Sequence, residues 1–167
     1  MKRQGPHFRV AFRRRREGKT DYRRRQRMLR SALPRAVVRK TLSQTLVQIV
    51  EAEASGDRVL ASACSGDLKE HGWTVGTGNV PAAYLTGYLA GKRAVAKGVT
   101  GAVLDIGLQQ PTKGGRIFAA LRGMLDAGLQ VPHGDEVFPA KERIRGEHIG
   151  DGVAKSFDTV KAKLEAS

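Results

Sequence analysis

Residues 35–64 read RAVVRKTLSQTLVQIVEAEASGDRVLASAC, and this stretch decides the fold. It divides into Arg35–Lys40 (RAVVRK), Thr45–Glu53 (TLVQIVEAE) and Arg58–Cys64 (RVLASAC). Val37, Val38, Val47, Ile49, Val50 and Val59 are β-branched, and such side chains sit better on a pleated surface than in a helix. Ala54-Ser55-Gly56-Asp57 has the composition of a turn. The spacing predicts a three-stranded antiparallel meander.

Downstream of the meander the period changes. Asn79 suits a helix N-cap, Pro81 the first turn, Lys97 the last turn and Gly98 the position after it, which predicts a helix over 79–97. Gly87 and Gly91 would give that helix a smooth face for close packing on the sheet. A short apolar strand follows at Ala102–Ile106. A second helix then runs from about Gly115 to Ala127 and ends at Gly128, with Ile117, Leu121, Met124 and Leu125 on one face. The order β-β-β-α-β-α predicts an α/β (α+β-like) fold: a mixed sheet of about four strands with helices packed on it, the first helix serving as a crossover connection. Residues 129–167 are rich in Gly, Pro and charge. They are predicted to form an irregular C-terminal extension that wraps the surface, with helical pieces near Pro139–Arg145 and Val153–Leu164. The domain reading is 1–33 basic arm and helix, 34–130 globular domain, and 131–167 extension.

Upstream of the meander the chain changes character. Residues 1–19 have no period, and Arg13 to Arg16 form an unbroken run, so this arm is predicted to be extended and mobile until phosphates neutralise it. Residues 20–33 read as a basic helix capped by Thr20 and stopped at Leu33-Pro34, with a narrow apolar seam of Tyr22, Leu29 and Leu33.

The 167 residues carry a formal net charge of +14. Residues 1–40 hold 16 Lys/Arg and 2 Asp/Glu, whereas residues 41–167 hold 14 of each. The whole excess therefore lies in the first quarter of the chain, and a neutral globule with a cationic arm is the layout of a nucleic-acid binder. Aromatics are only 5%, so the core must come mainly from Val, Leu, Ile and Ala. One cysteine, Cys64, excludes an internal disulfide. The absence of an apolar signal region, and of any run of about 20 apolar residues, leads to the expectation of an intracellular protein without a membrane anchor.

The arm carries the strongest chemical signal. Its guanidinium groups offer paired donors to phosphate oxygens, and Phe8, Phe12 and Tyr22, interleaved with them, could stack on unpaired bases. The expected RNA-binding set in the arm is Arg3, Phe8, Arg9, Phe12, Arg13, Arg14, Arg15, Arg16, Lys19, Tyr22, Arg23, Arg24, Arg25, Arg27 and Arg30. The loop Pro111–Arg116 (PTKGGR) admits two readings: a phosphate grip through Lys113 and Arg116, or an ordinary connector. Enzyme-like fragments are weak. Gly76-Thr77-Gly78 lacks the third glycine of a dinucleotide loop, Pro81 standing in its place. Gly87–Lys92 is one residue short of a phosphate loop and lies within a predicted helix. His7, His71, His133 and His148 show no metal-ligand spacing, Cys64 reads as a buried thiol, and Asp105 reads as a structural or loop-fixing carboxylate. No catalytic residue, metal, cofactor or small-molecule substrate is expected.

Six segments resemble one known family: Tyr22–Leu29 (YRRRQRML), Leu33–Lys40 (LPRAVVRK), Asn79–Gly91 (NVPAAYLTGYLAG), Leu104–Phe118 (LDIGLQQPTKGGRIF), Ala119–Val131 (ALRGMLDAGLQV) and Pro132–Ile149 (PHGDEVFPAKERIRGEHI). In this order they resemble the archaeal and eukaryotic form of the universal large-subunit ribosomal protein eighteen family. The resemblance implies a structural constituent of the large ribosomal subunit that binds 5S rRNA and helps attach it to the 23S-type rRNA. It implies a place in the central protuberance of a cytoplasmic ribosome, beside other large-subunit proteins. It adds Arg35 and Arg39, and with them Lys113 and Arg116, as RNA contacts. The long insertions of eukaryotic members are absent, which points to an archaeal-type chain. Two rivals remain at this stage: an α/β enzyme acting on nucleic acid through Asp105, and a regulator of RNA outside the ribosome.

Overall fold

The computed structural model describes residues 5–166. The meander forms with β1 at Arg35–Lys40 and β2 at Thr45–Glu53 as expected, and with β3 at Gly56–Cys64, two residues earlier than expected because Gly56 and Asp57 pair with β2 instead of staying in the turn. β4, Val103–Asp105, completes a four-stranded sheet in the order β3-β2-β1-β4. β1 pairs antiparallel with β2, and β2 with β3, whereas β4 lies parallel to β1. Parallel neighbours need a crossover, and α3 (Val80–Val95) supplies it.

The two faces of the sheet differ because side chains alternate along each strand. Ala36, Val38, Val47, Ile49, Ala61 and Ala63 face the main helices and are buried. Arg35, Val37, Arg39, Gln48, Val50 and Val59 occupy the opposite face. A bulge between Ile49 and Val50 brings Val50 opposite Val59 and keeps an apolar pair on that second face.

Asn79 caps α3 as its position predicts, its side chain accepting a hydrogen bond from the Ala82 N–H at 2.9 Å. Thirteen of the sixteen residues of α3 are buried, so the helix must be covered on nearly every side. The sheet covers one side, α4 (Arg116–Asp126) a second and α6 (Asp151–Ala166) a third. The glycine face of α3 meets α4 rather than the sheet. A Cβ on Gly87 would stand 2.0 Å from the Ala120 carbonyl oxygen, and one on Gly123 would stand 2.1 Å from that of Tyr84. The two helices therefore approach backbone to backbone, closer than any pair of side chains would permit.

The C-terminal residues depart from the expectation of a surface wrap. α6 has sixteen residues and buries Val153, Ala154, Phe157, Val160 and Leu164 in the common core. Phe157 packs on Tyr84 with ring centroids 5.5 Å apart. Lys92 closes the far end of α6 by donating to the carbonyls of Leu164 and Glu165 at 2.6 and 3.0 Å. Lys141–Arg145 forms the short α5. Cys64 is half-buried rather than enclosed.

The packing yields a direct test. Gly87→Ala and Gly123→Ala should each lower stability by about 2–3 kcal/mol, because the added methyl meets backbone that cannot rotate away. Gly152→Ala, in open space on α6, should raise it by about 0.5 kcal/mol. Urea titrations of the three variants decide this.

Candidate nucleic-acid interface

The arm is more structured than its charge suggests. Arg13–Arg16 forms one helical turn, α1, and Tyr22–Leu29 forms α2. Glu17 lies between Arg13 and Lys19 at 3.0 Å from each and relieves part of their repulsion. The N-cap of α2 is Asp21, not Thr20. The Asp21 carboxylate accepts from the N–H groups of Arg23 and Arg24 at 3.0 and 3.1 Å. The bond from Arg24 holds its pKa below the usual carboxylate range, with smaller contributions from Arg23 and Arg27 outweighing the cost of desolvation. Thr20 accepts from Arg14 Nε at 2.9 Å.

α2 lies over the second face of the sheet, but its apolar seam is not what docks. Leu29 and Leu33 remain exposed, and Tyr22 packs on Phe12 with centroids 5.4 Å apart. The docking side is Arg24, Arg25 and Met28. Arg24 donates to the Gly107 carbonyl at 3.2 Å and Arg25 to Asp57 at 2.7 Å, while Met28 faces the space above the sheet. Arg23, Arg27 and Arg30, spaced i, i+4, i+7, fall on the outward side. These three and Arg9, Arg15 and Arg16 are exposed and make no ion pair or side-chain hydrogen bond among the described residues. Phe8 and Phe12 are exposed as well. Arg3 lies outside the described residues.

Beneath α2 is a charge network that no local pattern announced. Arg35 donates from Nη1 to Asp105 at 2.9 Å and from Nη2 to Asp57 at 2.7 Å, and its side chain is only 4% exposed. Arg39 donates from Nη2 to the Asp105 carboxylate at 3.2 Å and from Nη1 to the Asp105 carbonyl at 2.7 Å. The Gly107 N–H donates to the same carboxylate at 2.8 Å. Burial pushes the Asp105 pKa up, but the Gly107 N–H and the Arg39 and Arg35 guanidiniums outweigh it and hold the group below the usual carboxylate range.

Arg35 is enclosed, and its Nη groups donate to two carboxylates. Arg39 is partly exposed but turned towards Asp105. Arg116 Nη1 donates to the carbonyls of Thr41 and Gly78, each at 2.9 Å, with a longer contact to Leu42 at 3.4 Å. It ties the β1–β2 hairpin to the start of α3. Lys113 is exposed and pairs with Glu136 at 3.1 Å. Asp57 was missed because it reads as an ordinary turn residue until folding places it between two arginines.

A mixed-sheet domain bearing one row of unspent guanidiniums, with its one buried carboxylate among the described residues already neutralised by arginine, has the make-up of a structural RNA-binding protein. The sequence pattern of the family described as ribosomal large subunit proteins 60S L5 and 50S L18 matches residues 6–101 and 96–134. The large ribosomal subunit protein uL18 of Methanothermobacter thermautotrophicus is 53% identical over 154 residues, covering 92% of this chain and 80% of the relative. The protein of the same name from Methanococcoides burtonii is 49% identical over 167 residues, covering 97% and 96%. That of Aeropyrum pernix is 56% identical over 146 residues, covering 87% and 68%. The chain belongs to this family of large-subunit ribosomal proteins, with archaeal relatives. No helix of the described residues is long and apolar enough to cross a membrane.

Replacing Asp105 by Asn keeps the shape and removes the charge that Arg35 and Arg39 face. Stability at neutral pH should fall by about 3–5 kcal/mol, as when one partner of a buried pair is lost. Because the folded-state pKa is depressed, the contribution of the Asp105 charge is complete above the unfolded value of 3.8 and is lost as pH falls through the lower folded value. The gap between wild type and Asp105→Asn should therefore narrow below that pH. Denaturant titrations across the acid range would show it, and a gap independent of pH would contradict it.

Proposed function

We propose that this chain binds 5S ribosomal RNA through its arginine arm and helps hold it against the 23S-type rRNA in the central protuberance, beside neighbouring ribosomal proteins. The role is structural and not catalytic, in a cytoplasmic ribosome. The observation that carries the reading is the division of α2 into two rows. Arg24 and Arg25 are spent on the globule, and Arg23, Arg27 and Arg30 face outward beside the Arg13–Arg16 turn. Arginines held in a fixed row meet phosphates with less ordering cost than a free tail would. Phe8 and Phe12 add exposed rings to the same arm. The nuclease rival loses its support in the site itself, because the Asp105 oxygens accept from two guanidiniums and an N–H, partners that oppose metal ligation.

Replacing Arg13, Arg14, Arg15 and Arg16 together by Gln tests the reading with little disturbance of the core, since none of the four is buried. The slope of log K against log salt for 5S rRNA should flatten by about 3–4 if all four meet phosphates. Lys155→Gln, on the exposed side of α6, should leave the slope unchanged. An unchanged slope in the fourfold variant would show that the arm does not carry the binding.

A further inference from the structure

The space between α2 and the second face of the sheet is a chamber of about 280 Å3. At roughly 30 Å3 per water that is room for about nine waters, close to the smallest sites that take an organic group. Val37, Val50 and Val59 form its floor with Gln48 among them, and Met28 and Arg24 form part of its roof. Arg14 and Lys19 also border it. Six cationic side chains face three carboxylates around it, so its walls favour a group of negative charge.

Two polar groups in these walls are unspent. Arg35 Nε is buried and has no hydrogen-bond partner. Gln48 is half-buried, and its side-chain amide has no partner among the described residues. A buried donor without an acceptor is uncommon enough to call for a ligand. An inorganic anion would answer the charge and leave the apolar floor and the amide without use. A nucleotide answers all of them. Its base lies on the valines, the base edge meets donors and an acceptor, and its phosphate meets the cations.

We propose that this chamber receives one unpaired nucleotide of the bound RNA, with its base over Val37 and Val50 beside Gln48 and its phosphate beside Arg14 and Lys19. The inference rests on the RNA-binding reading and deepens it: the arm contributes phosphate attraction, and the chamber under it reads a single base.

The test uses the full chain with 13C-labelled valine methyl groups, titrated with the four ribonucleoside 5′-monophosphates, with ribose 5-phosphate and with inorganic phosphate. At least one nucleotide should shift the methyl resonances of Val37 and Val50 in the millimolar range, and the two base-free probes should not. Val37→Phe fills the chamber without removing a charge. It should weaken 5S rRNA binding about tenfold or more at fixed salt, the scale of one lost base contact, with the salt slope changed by no more than about one, the share of the single phosphate. Gln48→Leu keeps the volume and should abolish any preference among the four nucleotides, which covers the case of a Val37→Phe chain that fails to fold. Equal shifts from phosphate and nucleotides would make the chamber a plain anion site and overturn the proposal. So would the absence of shifts, or wild-type RNA affinity in folded Val37→Phe. Failure of the broader reading looks different: the wild-type chain would bind 5S rRNA no better than unrelated RNA, while the methyl shifts would still decide the chamber.

Discussion

The enclosed guanidinium of Arg35 is the constraint on which the second face of the sheet depends. It stands at the start of β1, an inner strand, and must be neutralised, because an isolated charge at 4% exposure would cost several kcal/mol. Asp105 at the end of β4 and Asp57 at the start of β3 supply the neutralisation from opposite sides. The three residues come from three strands, so the pairing ties the meander to the strand that follows the crossover. Each carboxylate is also shared: Asp57 with Arg25 of the arm, Asp105 with Arg39 and the Gly107 N–H. Such a network is poor evidence of net stability, since a hydrophobic replacement of equal volume often does as well. Its consequence is positional, because it fixes where the arm lies.

That placement explains how a strongly basic segment can have an ordered course. Arginines in a free tail repel one another and take no single arrangement. Here Asp21, Glu17 and Asp57 are the only acidic partners the arm meets among the described residues, and each sits at a junction: the start of α2, the end of α1, and the contact with the sheet. A few carboxylates determine the path, and Arg9, Arg15, Arg16, Arg23, Arg27 and Arg30 stay exposed without an ion pair among the described residues. The opposite face of the sheet is organised by different physics. There α3 is buried almost all round, and glycines let α4 approach it so closely that main-chain atoms are in contact.

Much of this was legible along the chain. β1 and β2 fall within the bounds that their alternation marks, because a strand with one buried face repeats its hydrophobicity every second residue. Asn79 and Gly98 mark the ends of α3 because capping is a local hydrogen-bonding requirement. The polarity of the arm and its separation from a neutral globule are sums over residues and need no fold. α6 was only partly legible. Val153, Phe157, Val160 and Leu164 share a face, but the charged residues between them look the same whether that face meets a core or solvent, and only the presence of Tyr84 and α3 beneath it settles the matter.

The sequence by itself therefore determined the strands, the two central helices, the neutral globule and the cationic arm, since each follows from local period, capping or composition. The tertiary structure decided which arginines are spent and which are presented. Arg35 and Arg23 have the same chemistry and similarly basic neighbours, yet one is enclosed between Asp57 and Asp105 and the other is exposed. The difference arises because Coulomb interaction acts through space and not along the chain. Asp105 is 70 positions from Arg35, and no sequence pattern records that the crossover through α3 brings them within 2.9 Å.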